Sequence, residues 1–264
     1  MSGSSASHSA ARRPGAGHGR TGVATAAIGF VFPPRCARCG REWPGETRGP
    51  GLCGPCNLAL ATPDYRACPR CALGCSEVDL ARGDCPRCRQ RRLLFSAART
   101  VAPYEDAWRA AVLQMKHAFH EPLAYAAGQR LAEMLADRPF ARQPDLVVPV
   151  PMHWLKRLWR GTNPAETIAE AAADALGWPL ASGALVCRRY LRRQSTLTPV
   201  ERRRNVRGAF RASRGWPLAG RTILLVDDVM TTGATAPEAA RALRAAGAAE
   251  IFVATLTRSV PEGA

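Results

Sequence analysis

The segment ILLVDDVMTTGAT, residues 223–235, constrains the fold more than any other part of the chain. Its four leading aliphatic residues have no polar face, which is typical of a strand buried on both sides in the middle of a parallel sheet. Two acids follow at once, and then a turn rich in Thr and Gly. In open α/β sheets, ligands bind at the carboxyl ends of the strands. The segment therefore predicts a parallel sheet with a ligand site directly after this strand.

Strand and helix patterns alternate through the rest of the second half, which indicates an α/β fold with helices on both faces of a parallel sheet. A strand at about 98–104 precedes a helix whose apolar face, at spacings of three and four, carries Trp108, Val112, Met115 and Phe119. The other expected helices cover 123–135, the stretch that starts with Asn163 as N-cap and Pro164, and 235–246, and the other strands cover 145–151, 221–228 and 250–257.

The acids and the turn suit a phosphorylated sugar. Asp227 and Asp228 can accept hydrogen bonds from two vicinal hydroxyls, such as those at the 2- and 3-positions of ribose. The turn supplies backbone N–H groups, hydroxyls and a helix N-terminus, which together bind a phosphate dianion. Its residues are Thr231, Thr232, Gly233, Ala234 and Thr235.

Two other interpretations of this segment need no sugar phosphate. A strand followed by a capped helix gives similar residues in many α/β proteins. Response-regulator receivers use adjacent acids as a metal pocket, but they place them after an early strand, whereas here only one helix and one strand follow. The G-x-G-x-x-G pattern of dinucleotide sites occurs only at 17–22 and 49–54, in neither case after a predicted strand, and the G-x-x-x-x-G-K-[ST] pattern of NTP sites is absent from the sequence.

Eight of the ten cysteines form four C-x-x-C pairs, and thirteen residues separate the pairs within each half of the segment, which indicates a duplication. Two such pairs close a four-sulfur site, which is typical of structural zinc, and a bound zinc contributes about 10 kcal/mol or more to a module too small to fold by burial. A redox pair is expected only once, within a βαβ pattern, and an Fe–S cluster is the other alternative. The simplest pairing gives one zinc to Cys36, Cys39, Cys53 and Cys56 and another to Cys68, Cys71, Cys85 and Cys88, with a cross-braced pairing left open.

Net charge and hydropathy indicate which kinds of partner and which cellular location to expect. The formal net charge of +16 favours a polyanionic partner, but only two of the 37 basic residues are lysines, and a GC-rich genome also explains such an arginine excess. The sequence has no apolar run long enough for a membrane span and no secretory signal, so we expect a cytoplasmic protein without membrane partners. Residues 1–22 contain almost no large apolar group and are expected to be disordered.

The motif at 223–235 matches, at every position, the 5-phosphoribosyl 1-pyrophosphate (PRPP) motif of type I phosphoribosyltransferases, and residues 32–258 resemble the ComF family of competence proteins. That family joins a cysteine-rich zinc module to a phosphoribosyltransferase fold. VVPVPMHWLKRLWRGTNPAE is similar to its V-P-V-P and R-G-F-N-Q-A segments, QSTLTPVERRRNVRGAF to its Q-x-x-L and R-x-x-N-V-x-G-A-F element, and LQMKHAF to its Lys-containing helix end. The chain departs from the family pattern at Thr162 and Pro164, where Phe and Gln are usual.

The resemblance implies three regions: a disordered tail and apolar lead-in at 1–34, a double zinc ribbon at 35–94, and a phosphoribosyltransferase-like domain at 95–264. It also implies that PRPP binds with Mg²⁺. Pyrophosphate is then expected at the loop after VVPVP, which contributes Lys156, Arg157, Arg160 and Gly161. For the basic residues other than Arg160, a solvated surface is the alternative.

The acceptor of a phosphoribosyl group is not identified by the sequence. Purine-salvage enzymes of this fold carry an aspartate general base where this chain has Thr231. Two functions therefore stand: a phosphoribosyltransferase with an unknown acceptor, and a non-catalytic accessory protein that binds PRPP or single-stranded DNA and works with competence or DNA-processing proteins. Residues 188–214, with ten arginines and Glu201 as their only acid, resemble the flexible loop that closes over PRPP, and contact with nucleic acid or a plain surface loop are the alternatives.

Overall fold

The computed structural model describes residues 33–42, 51–83, 85–90, 93–192, 197–231 and 233–259. The predicted disordered tail, most of the apolar lead-in and Thr232 lie outside these residues. Within the described ranges, no helix has both the length and the apolar character needed to cross a membrane.

The cysteine-rich segment repeats one local structure. Helix α1 (Gly54–Ala59) begins directly after Cys53, and α3 (Pro86–Arg89) begins directly after Cys85, so that one C-x-x-C pair in each half straddles a helix start. The other pair of each half lies in a turn closed by an isolated antiparallel bridge. A short helix, α2 (Glu77–Ala81), connects the two pairs of the second half. The duplication predicted from the spacing is therefore also a structural repeat.

The second part is built on a four-stranded sheet in which every neighbouring pair of strands is parallel. Its order is β1 (Ala97–Pro103), β6 (Glu250–Arg258), β5 (Thr222–Met230) and β2 (Leu146–Pro149). Two short strands, β3 (Leu185–Cys187) and β4 (Phe210–Ala212), form a separate antiparallel pair. The predicted parallel α/β sheet is confirmed.

Both faces of the sheet are covered, because successive residues of β5 point into different cores. Leu224 and Val226 pack into one core, and Ile223 and Leu225 pack into the other. The first core also contains residues of α4 (Asp106–Gln114), α5 (Glu121–Asp137) and α7 (Pro164–Leu176), and the second contains residues of α9 (Thr235–Ala245) and the β3–β4 pair. The remaining helices are α6 (Trp154–Arg160) and α8 (Pro199–Val206).

Helices α5 and α7 approach each other closely at Gly128. A Cβ atom at this position would lie 2.6 Å from the carbonyl oxygen of Ile168 and 2.7 Å from the Cβ of Ala171. These distances are too short for any side chain, so the helix pair can pack in this way only with a glycine at residue 128.

The prediction that Phe119 lies on the buried face of a helix is wrong. The helix ends at Gln114, and after the C-cap Met115 the backbone N–H groups of Lys116 and His117 bond three residues back rather than four. This tighter winding turns the chain out of the helical path. Phe119 falls in a 3₁₀ turn, Ala118–His120, with 95% of its surface exposed.

The described part of 188–214 is not irregular throughout, because it contains α8 and β4, and closure of this segment over PRPP stays a prediction. Helix α8 starts with a capping box, in which the side chains of Thr198 and Glu201 each accept a hydrogen bond from the other's backbone N–H. At its other end, the guanidinium of Arg189 donates to the carbonyl oxygens of Asn205 and Arg207. Both helix ends are thus satisfied by residues of the segment itself.

Candidate functional site

A cavity of about 590 Å³ opens at the carboxyl edge of the sheet, where it is lined by residues that follow β1 and β2 and by the last residues of β5. Parallel strands direct their carboxyl ends to one edge, which explains why residues distant in sequence meet here. The cavity brings together six of the residues predicted from the sequence. They are Lys156, Arg160, Asp227, Asp228, Thr231 and Thr235.

Asp227 and Asp228 both line the cavity. The backbone N–H of Asp228 donates to the Asp227 carboxylate at 2.9 Å, and that of Val229 donates to the Asp228 carboxylate at 2.8 Å. Desolvation, followed by the repulsion of the neighbouring Asp228, raises the pKa of Asp227, and the positive charge of Lys116 opposes this rise. Two carboxylates held this closely retain acceptor capacity for hydroxyl donors of a ligand.

The turn after β5 has the geometry of an anion-binding loop. Gly233 has a φ of +69°, a conformation that residues with a side chain rarely adopt. Helix α9 begins at Thr235, and its N-cap, Ala234, has no side-chain oxygen with which to cap the helix. The first N–H groups of an uncapped helix favour an anion. Thr232, also predicted for this site, lies outside the described residues.

Arg258 supports this turn from behind. Its side chain is 2% exposed, and its Nη1 donates to the carbonyl oxygens of Met230, at 2.6 Å, and Thr231. Its Nε donates to the carbonyl oxygen of Cys71 at 3.2 Å. Burial lowers the pKa of Arg258, whereas the nearby Cys71 sulfur favours the charged form. A single buried guanidinium thus connects the turn after β5, which we call the ligand turn, with the cysteine turn that contains Cys71.

Basic side chains form part of the wall of the same cavity. Both lysines of the chain, Lys116 and Lys156, line the cavity together with Arg109, Arg160 and Arg202. Desolvation, followed by repulsion from Arg160 and Lys116, lowers the pKa of Lys156. A wall of this kind is suited to the charge of a pyrophosphate group.

Lys116, Arg109 and Arg202 were not among the predicted ligand-binding residues. The sequence did contain a signal for Lys116. Lys116 and Lys156 are the only lysines of the chain, and every other basic residue of this kind is an arginine. Arg109 and Arg202 had no comparable signal, because arginine is common throughout the chain.

Four predicted residues do not line the main cavity. Gly233 and Ala234 line a separate cavity of about 530 Å³, and the other two are Arg157 and Gly161. Arg157 forms an ion pair with Glu166 at 2.6 Å, and with Gly161 it lines a different cavity of about 270 Å³. Gly161 ends α6 with a φ of +74°, which sets the direction of the chain toward α7. At the start of α7, Asn163 is the N-cap as expected, but its side chain donates to the carbonyl oxygen of Val150 instead of capping the helix.

The eight paired cysteines form two clusters that could each hold one metal ion, and the simple pairing is the one observed. In each cluster all four sulfur atoms lie within 4.8 Å of one another. The Sγ–Sγ distances are 3.7 Å for Cys39–Cys53, 3.8 Å for Cys68–Cys88 and 3.6 Å for Cys71–Cys85. A tetrahedral zinc with Zn–S bonds of about 2.3 Å requires sulfur atoms about 3.8 Å apart. The clusters therefore fit structural zinc.

Comparisons with known proteins point to the same architecture. A family model described as a phosphoribosyl transferase domain matches residues 164–262. The DNA utilization protein YhgH of Escherichia coli (strain K12) is 34% identical over 214 residues, which cover 80% of this chain and 91% of that protein. Competence protein F of Haemophilus influenzae is 25% identical over 215 residues, which cover 79% of this chain and 91% of that protein.

Among solved structures, a glutamine PRPP amidotransferase from B. subtilis complexed with ADP and GMP is 30% identical. The match covers 50% of this chain and 26% of that chain, with a TM-score of 0.35. The similarity to the two DNA utilization and competence proteins extends over about four fifths of this chain, and therefore well beyond the segment that the family model matches.

Proposed function

Because the chain belongs to the ComF family of DNA utilization and competence proteins, we propose that it binds PRPP in the cavity at the carboxyl edge of the sheet and serves in DNA utilization. Asp227 and Asp228 hold the ribose hydroxyls, and the turn from Thr231 to Thr235 holds the 5-phosphate. The lysines and arginines that line the cavity hold the pyrophosphate. Mg²⁺ enters with the ligand, since this ion is usually bound by one or two carboxylates together with substrate phosphates.

One observation carries the proposal: the acid pair, five lysine and arginine side chains and the start of helix α9, whose N-cap makes no side-chain cap, all line a single cavity. PRPP combines two vicinal hydroxyls with anionic groups at both ends, so it needs acceptors in the middle and donors at either side. The cavity volume of about 590 Å³ is within the range of small-molecule sites.

A titration calorimetry experiment with PRPP, with and without Mg²⁺, tests this function. The variant Asp227→Asn/Asp228→Asn should bind PRPP at least a hundredfold more weakly, because charge-assisted hydrogen bonds contribute about 1.5–3 kcal/mol each. The matched control is Glu133→Gln/Asp174→Asn, which removes two carboxylates from the exposed sides of α5 and α7. Equal affinity of the folded double variant and the wild type would contradict the proposal.

Catalysis is a separate question from binding. Thr231 lines the cavity at the position where purine-salvage enzymes of this fold have their general base, and a threonine hydroxyl does not serve as a base at neutral pH. Pyrophosphate release measured over a panel of acceptors distinguishes a transferase from a protein that binds PRPP without transfer.

A second candidate function is the binding of single-stranded DNA. The favouring observation is the surface of α8, on which Arg203, Arg204 and Arg207 are exposed while the one acid of the helix, Glu201, is used in the capping box. Arg203 and Arg207 also line a cavity of about 530 Å³ behind the ligand turn. Clustered arginines on one helix supply phosphate contacts without reading the base sequence.

Salt dependence tests this second function. Binding to a single strand should weaken with salt with a log–log slope of about −0.7 per neutralised phosphate. The variant with Arg202, Arg203, Arg204 and Arg207 replaced by alanine should bind all sequences more weakly and show a shallower slope. Equal affinity and slope in both proteins would contradict a DNA-binding role for α8.

A further inference from the structure

Helix α6 turns its apolar side toward solvent. At about 100° per residue, Trp154, Leu158, Leu155 and Trp159 occupy one arc of about 140° on the helix. Trp154 is 65% exposed, Leu158 73% and Trp159 87%. The apolar arc of an amphipathic helix normally packs against the core of its own chain. In α6 this arc is available to a partner instead.

The cause of this inversion lies on the other side of the helix. The opposite arc carries Lys156 and Arg160, and both line the main cavity. Because the basic arc is directed to the ligand site, the apolar arc has to face outward. The exposure of the tryptophans is therefore set by the way in which α6 serves the cavity.

At the start of α6 the exposed apolar surface continues to Tyr190, in the arginine-rich segment 188–214. The ring of His153 lies 5.8 Å from that of Trp154 and 5.9 Å from that of Tyr190, in the second case edge to face. Tyr190 is itself exposed. A row of three rings thus connects α6 with the residues that precede α8.

At the end of α6 the surface continues to Phe119, because the 3₁₀ turn that carries it abuts Gly161. A Cβ atom at Gly161 would lie 3.1 Å from the Cβ of Ala118. Among the described residues, ten large hydrophobic side chains are exposed, and six of them belong to this region. We call these six the aromatic surface: Phe119, Trp154, Leu155, Leu158, Trp159 and Tyr190.

The aromatic surface is joined directly to the basic helix α8. Arg189, next to Tyr190, donates to carbonyl oxygens at the end of α8, and Asn205 exchanges hydrogen bonds with the backbone of Arg192 at 3.1 Å. These contacts join the residues on either side of Tyr190 to the end of α8, the helix that carries the exposed arginines.

We propose that the aromatic surface is a stacking platform for single-stranded DNA, with bases on Trp154, Trp159 and Tyr190 and phosphates on the arginines of α8. Exposed aromatic rings interleaved with basic side chains are the combination that binds single strands without sequence preference. A second copy of the chain fits less well, since it would bring two strongly basic surfaces together. The proposal rests on the second candidate function above and adds the surface that the bases occupy.

Fluorescence anisotropy with an oligo-dT strand tests the platform. The variant Trp154→Ala/Trp159→Ala should bind about 30-fold more weakly, taking each stack at the low end of its usual contribution. Trp154→Phe/Trp159→Phe should retain most of the affinity because it keeps two rings, whereas Trp154→Leu/Trp159→Leu should lose as much as the alanine variant. The control Leu58→Ala/Val78→Ala removes two exposed apolar side chains from the cysteine-rich segment and should bind as the wild type does.

Several results would overturn the platform. One is unchanged DNA affinity in the alanine variant, and another is wild-type affinity in the leucine variant, which would indicate apolar burial without stacking. If sedimentation velocity shows a dimer that dissociates in the alanine variant, the surface is assigned to a second copy. If the wild type binds lipid vesicles and the alanine variant does not, the surface is assigned to a membrane.

A wild type that does not bind oligo-dT at all would remove the second candidate function as well. PRPP affinity, measured on the same variants, should stay unchanged and reports separately on the first function.

Discussion

The Nε of Arg258 donates a 3.2 Å hydrogen bond to the carbonyl oxygen of Cys71, and the same guanidinium holds the turn after β5. The second cysteine cluster and the proposed phosphate site therefore share one buried cation. A four-thiolate zinc site carries two net negative charges. These charges would stabilise the buried positive charge of Arg258, which water does not reach.

Arg258→Lys should weaken PRPP binding by about tenfold or more, because a single ammonium cannot span acceptors on two sides and hydrogen bonds to charged groups contribute about 1.5–3 kcal/mol each. Calorimetry with PRPP measures the effect. Arg99→Lys is the matched control, since Arg99 donates to the carbonyl of Pro69 in the same cysteine turn without contacting the ligand turn. A loss of affinity as large in the control would show that Arg258 acts only through general stability.

Metal analysis should find about two zinc ions per chain. Cys68→Ser and Cys36→Ser should each remove about one of them, but only Cys68→Ser should weaken PRPP binding substantially. The second cluster contacts the ligand turn through Arg258, whereas the first packs beside Trp108, whose indole donates to the carbonyl of Ala61 at 3.3 Å. Iron in anaerobically purified protein, or equal effects of the two variants on PRPP affinity, would contradict this prediction.

Asp227→Asn should stabilise the ligand-free protein at neutral pH, and this gain should vanish as the pH falls toward 4. The pKa of Asp227 is raised in the folded state, so its ionisation opposes folding once the pH exceeds the ordinary aspartate pKa, and the cost grows until the raised pKa is passed. Below the ordinary pKa the carboxyl is protonated in both states. Thermal melts of the two proteins between pH 4 and 8 measure the difference.

The exposed Asp174 on α7 provides the control for this pH series. Asp174→Asn should melt with nearly the same pH dependence as the wild type. A stabilisation by Asp227→Asn that is constant from pH 4 to 8 would show that the substitution acts through packing and not through ionisation.

Within α8, Arg202 and Arg204 should separate the two proposed ligands. Arg202 lines the main cavity, whereas Arg204 is exposed outside it. Arg202→Ala should therefore raise the Kd for PRPP several-fold, and Arg204→Ala should leave it unchanged while weakening any DNA binding. Paired titrations with PRPP and oligo-dT measure both effects, and a PRPP defect confined to Arg204→Ala would reverse the assignment.

Gly128→Ala should lower the free energy of unfolding by about 1–3 kcal/mol, the usual cost of overpacking. The added methyl would lie 2.6 Å from a backbone carbonyl, which can move only if α5 and α7 separate. Gly215→Ala is the control, since a Cβ there meets nothing within 4 Å. Denaturant unfolding measures both, and equal midpoints would show that the helix pair yields without cost.

The sequence predicts the sheet and the clustering of its site residues because both depend on local patterns. The buried β5 strand, the acids at its end and the spacing of the C-x-x-C pairs each reflect geometry within a few residues. Helix α8 was also within reach, because the Thr198 and Glu201 capping box is a local signal that the abundance of arginine obscured.

Other features depend on contacts between distant segments and were not available from the sequence. The spacing of Phe119 fits a helix, and only the tighter turn at Lys116 places it outside. Arg258 is the last residue of β6 and looks in the sequence like any of the many arginines, although it bonds to residues 28 and 187 positions away. The direction of Arg157 is likewise set by Glu166 and not by its own helix.

The strand order has a consequence for synthesis on the ribosome. Within the described part of the chain β6 is the one strand that pairs with β1, so this pairing cannot form until residues 250–258 have emerged. At a synthesis rate of roughly 5–20 residues per second, the interval between the synthesis of β1 and that of β6 is on the order of ten seconds or more. The cysteine clusters depend on short-range segments and can acquire their metal during this interval. Arg258, which belongs to the last strand to arrive, then docks onto a cysteine turn that is already formed.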